Sequence, residues 1–363
     1  MLRTLIRWLR RLFVAGLAIV AVAAVVLWWR HSEGELITVR HAPSTYERRA
    51  DTFTANVTGE LDWLAHGFAY RLNDTDPWVP IGQGRPRVVP PDFTVELPAA
   101  ALKPGENRLE LRASGLFRDP ETKALTFTYD PSPVRLPVTI DWSQPRQLDV
   151  QDGAWETFKN GDGTTRVRPV PGEEGWDRVL AVTGAFPGGR RVTTDLVFHD
   201  VTGLYPLGLP FLPRRGYGFG IFPMWAGQPD EPGVSPRRGW RFSLAWYASA
   251  DRAIATEFSD KVGDAPPAWV HGARDLKLEW DRKYRIVTET WPVKAADGRH
   301  EGFRQRLKWW PDGEPEPAQW LEVLDQAGAP LPEGEYAVAL ISLRAAVDYG
   351  PITIEAIDGP SQP

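Results

Sequence analysis

An all-β chain hung on one N-terminal membrane helix is the fold class this sequence predicts, and three observations predict it. Residues 12–29 are apolar apart from Gly16 and follow four arginines. All 34 prolines and nearly all of the 33 glycines lie beyond that segment and cut the rest into short pieces. Within those pieces apolar and polar residues alternate, as in half-buried strands, and no long helical periodicity appears.

The opening segment comes first in the chain. Leu12 to Trp29 is 18 residues; as a helix it spans about 27 Å, close to the ~30 Å hydrocarbon core of a bilayer. Arg3, Arg7, Arg10 and Arg11 precede it, and the first carboxylate is Glu33. The positive-inside bias therefore keeps 1–11 as a cytoplasmic basic segment and exports the residues beyond the anchor. Trp28 and Trp29 fall where interfacial aromatics sit. Ala21-Val22-Ala23 offers a small-x-small cleavage site, and Arg10-Arg11-Leu12-Phe13-Val14 is similar to a twin-arginine export signal. The apolar run continues past that site, which favours an uncleaved anchor over a signal peptide. The expected location is a bacterial inner membrane, single-pass, with the remaining chain periplasmic or otherwise extracytoplasmic.

Composition bounds the exported part. Five of the 42 basic residues lie in positions 1–30, so 37 face 47 acidic ones beyond, a charge near −10. Such a surface argues against nucleic acid and against gripping anionic headgroups. Cysteine is absent, which excludes a disulfide scaffold, thiol chemistry and a lipidated-cysteine anchor.

Residues 30–44 read as a polar stalk. From about 45 to 141, strand-like runs succeed one another. Phe53, Ala55 and Val57 alternate up to Gly59; Phe68 to Leu72 ends at Asn73-Asp74; Phe93, Val95 and Leu97 precede the turn Lys103-Pro104-Gly105-Glu106-Asn107. Leu109 and Leu111, then Leu125, Phe127 and Tyr129, then Val134, Leu136 and Val138 continue the series, the pattern of a β-sandwich. Pro131, Pro133, Pro137 and Pro145 stiffen a junction at 141/142. Residues 142–363 hold 12 of the 17 tryptophans and ten strand-like runs, from Trp155–Phe158 to Ile352–Ile357. Asn160-Gly161-Asp162-Gly163 predicts a hairpin turn. A region this size with that many strands favours a two-sheet jelly roll.

Two resemblances sharpen the expectation. Phe53 to Gly59, Tyr70-Arg71-Leu72-Asn73, Asp92 to Leu97 and Leu102 to Asn107 together resemble a bacterial Ig-like domain over about 45–141. That resemblance implies a spacer or adhesion module without chemistry. Trp155-Glu156, Trp176-Asp177-Arg178-Val179-Leu180, Gly218-Phe219-Gly220-Ile221, Trp225-x-Gly227 and Asp348 to Ile354 resemble the concanavalin A-like lectin/glucanase jelly roll, which includes laminin-G-like modules. This second resemblance implies a fold that binds or cleaves polysaccharides in some members and holds a structural Ca²⁺ in others. Asp348 is the one residue it offers as a metal ligand, against the plainer role of a turn-capping carboxylate.

Glucanase-type members carry Glu, Asp and a second Glu along one strand face. Here only Glu279-Trp280-Asp281 begins that spacing, with Lys283 and Tyr284 where the second Glu belongs, so no catalytic residues are assigned. Aromatics carry the ligand-binding candidates instead. Trp309 and Trp310 are neighbours on a strand, whose side chains alternate faces, so one is expected outside as a platform for sugar C–H surfaces. Trp240 stands beside Arg237 and Arg238, and the insertion Leu204–Gly239 holds Arg214, Arg215 and Trp225. The candidates are therefore Trp225, Arg237, Trp240, Trp309, Trp310 and Arg215, for a polysaccharide or glycoconjugate ligand. No zincin, nucleophile-elbow or phosphate-loop motif occurs, and no cofactor beyond a structural Ca²⁺ is expected. The leading expectation is a membrane-anchored envelope protein binding a glycan. The alternatives are a glycoside hydrolase or lyase on the same fold, favoured by two carboxyls in one cleft, and a structural component of an envelope assembly.

Overall fold

The computed structural model describes the backbone of residues 2–50, 52–74, 76–81, 92–116, 118–143, 148–172, 177–202, 216–229, 239–249, 252–261, 270–324 and 331–360. Helix α1 (Leu2–Glu33) opens the chain, and its apolar side chains at Leu12, Phe13, Ile19, Val20 and Val25 are more than half exposed. Among the described residues no helix is long and apolar enough to cross a membrane.

A small β unit comes next. Its strands are β1 (Ile37–His41), β2 (Thr45–Tyr46), β3 (Ala55–Leu61), β4 (Ala65–Leu72), β5 (Val79–Pro80), β6 (Asp92–Leu97), β7 (Gly105–Gly115) and β8 (Arg118–Tyr129). They form a three-stranded sheet, β1-β3-β6, and a five-stranded sheet, β2-β8-β7-β4-β5. The alternating residues Val57, Phe93, Val95, Leu97, Leu109, Leu111 and Phe127 close the core between them. The turn before β7 works as its residue types require: Gly105 takes φ +86°, and the Asn107 side chain bonds Lys103 N at 3.0 Å and Lys103 O at 2.7 Å. The expected stalk at 30–44 is corrected here. It is helix to Glu33 and strand from Ile37, and Leu36 and Ile37 are fully buried, because that short apolar pair completes the core.

The larger unit contains β9 (Val138–Ile140), β10 (Asp149–Asp152), β11 (Trp155–Lys159), β12 (Thr165–Pro169), β13 (Asp177–Ala181), β14 (Gly189–Val201), β15 (Gly218–Trp225), β16 (Trp240–Ala248), β17 (Ala253–Lys261), β18 (Val270–Asp275), β19 (Lys283–Lys294), β20 (His300–Pro311), β21 (Leu321–Leu324), β22 (Ala337–Leu343), β23 (Ala345–Tyr349) and β24 (Ile352–Ile357). Seven strands run β10-β13-β22-β15-β16-β17-β18; nine belong to the sheet built on β11-β12-β23-β14-β19-β20-β21, with β24 pairing β14 and β9 pairing β24. The chain thus crosses repeatedly between two antiparallel sheets, as a jelly roll does. β9 hydrogen-bonds in the larger sandwich although it precedes the 141/142 boundary. The hairpin at 160–163 joins β11 to β12, with Gly163 at φ +84°.

Between the sheets lie Leu180, Val192, Leu196, Phe198, Phe219, Ile221, Trp309, Leu340 and Val347. The opposite face of the seven-stranded sheet is also apolar: Val179, Ala181, Phe222, Trp225, Phe242, Leu244, Ala339 and Ile341 cluster there with Phe53 and Ala50 of the smaller unit. That is why every residue of β15 is buried. One face closes the sandwich, and the other is covered by the segment that leads into β3 and by Trp246, whose ring lies against Gly218.

Candidate functional site

The two units meet along β3 and β10. Asn56 Nδ2 donates to Gln151 O at 3.0 Å, Thr52 Oγ1 donates to Ala226 O, and Arg49 pairs with Asp149. The Arg49 guanidinium also sits 4.1 Å from the Phe53 ring centroid. Gly227, at φ +85°, lets the chain after β15 pass against Thr52, whose carbonyl a Cβ would overlap. These contacts leave a cleft, about 240 Å³ and open to solvent, lined by Thr54, Asn56, Glu96, Gln151, Asp152, Val179, Trp225, Gly227 and Gln228.

Each wall has a local cause. Asn56 and Glu96 are cross-strand partners on β3 and β6, which sets amide and carboxylate side by side. Thr54 Oγ1 donates to Asn56 Oδ1 at 2.7 Å, so that amide is held on both sides. Gln151 Nε2 donates to Asp149 Oδ1 at 2.9 Å. Trp225 ends β15 beyond a register shift, within the aromatic group of Phe222, Trp240 and Phe242. It is 2% exposed, and its indole N–H has no hydrogen-bond partner among the described residues. A buried donor left so costs about 1–3 kcal/mol.

Asp152 is the electrostatic centre. Burial pushes its carboxyl up to about 7 against the pull of Arg178, with Asp177 and Asp92 adding to the rise. Its side chain keeps 42% of its surface open, so desolvation is partial and the neighbouring carboxylates matter. Arg178 Nη1 stands 3.7 Å from Asp152 Oδ1, beyond a good hydrogen bond. Asp177 is likewise pushed up by burial, to about 6. Among the described residues no lysine, arginine or histidine lines the cleft. It offers carboxylates, carboxamides and a hydroxyl, a set suited to an uncharged hydroxylated group.

The remaining sequence candidates fall elsewhere. Arg215 and Arg237 lie outside the described residues, as do Trp176 and Trp269. Trp240 is half-buried, 5.6 Å edge-on from Trp225, and belongs to the aromatic group rather than to a free platform. The expectation that one of Trp309 and Trp310 is exposed is corrected: they are 3% and 7% exposed. The alternation holds, since Trp309 faces the core, but the outer face beside Trp310 is itself occupied. There Glu289 bonds Arg191 and Arg306, and Trp320 stacks on Arg306 at 4.1 Å and on Lys308 at 4.5 Å.

Asp348 is corrected as a cation ligand. Its Oδ1 accepts from Arg166 and its Oδ2 meets His199 Nε2 at 2.6 Å, so both oxygens face nitrogen partners in a residue 3% exposed. Its bond to His199, with that from Asp281, raises the imidazole above its ordinary pKa. Among the described residues no cluster of three or more metal-ligating side chains occurs. Glu279 and Asp281 are likewise engaged, with Arg282 and His199, and flank an exposed Trp280 in a turn.

No protein-family model matches the chain, and no curated protein matches its sequence. Solved structures do resemble it. The carbohydrate-binding module CBM66 from Bacillus subtilis shares 13% identity at TM-score 0.32, over 58% of this chain and 95% of that one. The VIP36 exoplasmic/lumenal domain in its metal-free form shares 10% at TM-score 0.35, over 58% and 90%. The PL-14 alginate lyase from Aplysia kurodai shares 10% at TM-score 0.31, over 61% and 87%. At these values the likeness assigns the chain to no family and to no ligand.

Proposed function

We propose that this chain is a membrane-anchored envelope protein that binds a neutral saccharide, a polysaccharide end or glycoconjugate, in the cleft between its two β units. The observation that carries the reading is the cleft between the units itself, walled among the described residues by carboxylates, amides, a hydroxyl and the Trp225 side chain, without a basic side chain. Sugar hydroxyls donate and accept at once, so they suit a wall of carboxyl, amide and hydroxyl groups such as Asp152, Gln151 and Thr54. An anionic uronate would meet the carboxyl groups of Glu96 and Asp152 and no basic side chain among the described lining residues, so it is disfavoured. The apolar stretch 12–29 with its four preceding arginines supports anchoring in a bacterial inner membrane, with both β units exported.

The test is binding of the full chain in detergent micelles to neutral, amino-sugar and uronate polysaccharides, read by intrinsic tryptophan fluorescence and calorimetry. Saturable binding of a neutral glycan, weakened at least tenfold in Trp225→Phe, supports the proposal. Binding unchanged in that variant, or selective for uronates, overturns it.

One observation favours a second reading. Two carboxyls, Glu96 and Asp152, share the cleft, and Asp152 retains a proton near neutral pH. Glycoside hydrolysis uses a pair of carboxyl groups, one of them with a raised pKa. Reducing ends released from a bound glycan, and abolished in both Asp152→Asn and Glu96→Gln, would favour hydrolysis over binding alone.

A further inference from the structure

We infer that the small β unit is seated on the bilayer itself, with Trp63 and Leu116 entering the lipid headgroup layer beside the end of α1. The inference rests on the anchor reading of 12–29.

The geometry begins at residue 36. Helix α1 ends at Glu33, and only three residues later the chain is folded: Leu36 is fully buried and Ile37 pairs with Leu61. Leu36 O accepts from Asp62 N at 2.9 Å, and Leu36 N donates to Glu121 Oε2 at 2.6 Å. Arg118 Nη1 donates to Gly34 O at 2.6 Å. The helix exit is therefore bonded to the turn after β3 and to the first residues of β8, next to the turn that carries Leu116. With Trp29 at the hydrocarbon edge, four more helical residues rise about 6 Å. That is about the ~5–8 Å thickness of one headgroup layer. The turns beside Leu36 consequently face that layer.

Their tips carry the apolar residues. Trp63 is 57% exposed and Leu116 is 43% exposed. The β3–β4 turn is held by its own bonds, Leu64 N to Asp62 Oδ1 at 2.8 Å and Ala65 N to Asp62 O at 2.9 Å, with Trp63 at its tip. Tryptophan is the side chain best suited to a headgroup interface, with an apolar body and one N–H. The cations Lys123, Arg118 and Arg40 at this end are each paired: Lys123 with Glu35 and Glu121, Arg118 with Glu121, and Arg40 with Glu60. Contact there is apolar insertion, independent of anionic lipid.

The absence of cysteine makes the test clean. Single variants Val20→Cys, Trp63→Cys, Leu116→Cys and Trp280→Cys of the full chain carry a nitroxide label and are reconstituted in phosphatidylcholine vesicles. Collision with lipid-dissolved oxygen against an aqueous nickel complex reads the depth of each label. The expected result is Val20 deep, Trp63 and Leu116 shallow but shielded from nickel, and Trp280 as exposed as free label. Trp63 and Leu116 labels as accessible as that at Trp280, with Val20 deep, overturn the seating and leave the anchor standing. A Val20 label open to nickel overturns the anchor and the seating with it. Shielding that appears only with anionic lipid, or vanishes in high salt, overturns the apolar mode.

Discussion

Asp152→Asn tests the electrostatics of the cleft directly. In the folded chain the carboxyl is pushed from 3.8 to about 7, first by burial. The folded state thus binds this proton more tightly than the unfolded one. Its contribution is fully present below about pH 4 and lost as pH rises through about 7. Three pKa units correspond to a ceiling of about 4 kcal/mol. The carboxylate keeps 42% of its surface in water, which brings the expected effect down to about 1–2 kcal/mol. Asn keeps the size and one acceptor but never ionises. Urea unfolding of both proteins from pH 4 to 8 is the assay. The variant should gain about 1–2 kcal/mol relative to wild type across that window, the gain accruing from about pH 4 to about pH 7. Taking the difference removes the opposing acid sensitivity of carboxylates such as Asp312, held low first by Lys283 and Arg285. Parallel curves for the two proteins would refute the argument, because a carboxyl not displaced in folding cannot couple stability to pH there.

Further outcomes rest on single contacts. Gly227→Ala places a side chain at φ +85° against Thr52, so the docking of the two units should loosen by about 2–3 kcal/mol and calorimetry should resolve two unfolding transitions. Trp310→Ala should cost about 3–5 kcal/mol in urea unfolding while leaving glycan binding intact, as its burial rather than any platform dictates. Asp348→Asn removes the largest cause of the raised His199 pKa, so NMR titration of the imidazole should show its midpoint move downward. A midpoint that stays put would assign the rise to Asp281 instead.

Local patterns in the sequence determined the secondary structure wherever one face of a strand met water. β14 alternates cleanly, with Val192, Leu196 and Phe198 inward, and was legible as a strand. So were the Lys103–Asn107 turn and the hairpin at 160–163, because their residue types act on their own backbone. β17 was not legible: Ala253 to Ser259 is buried on both faces, so the period-2 contrast that marks a strand is erased. The same reason misplaced the tryptophans. Neighbours on a strand must point to opposite faces, but only the folded chain decides whether the second face is covered, as Arg306, Lys308 and Trp320 crowd the outer face that Trp310 shares. Trp225 was singled out for its loop and its aromaticity. Its cleft partners Asn56, Glu96, Gln151 and Asp152 gave no local sign, because they are brought together by the docking of two units far apart in the chain. Composition and periodicity determined an all-β chain behind one apolar helix. Which faces dock, and hence where Trp225 and two carboxylates share a cleft, was decided by long-range packing, which no short-range pattern encodes.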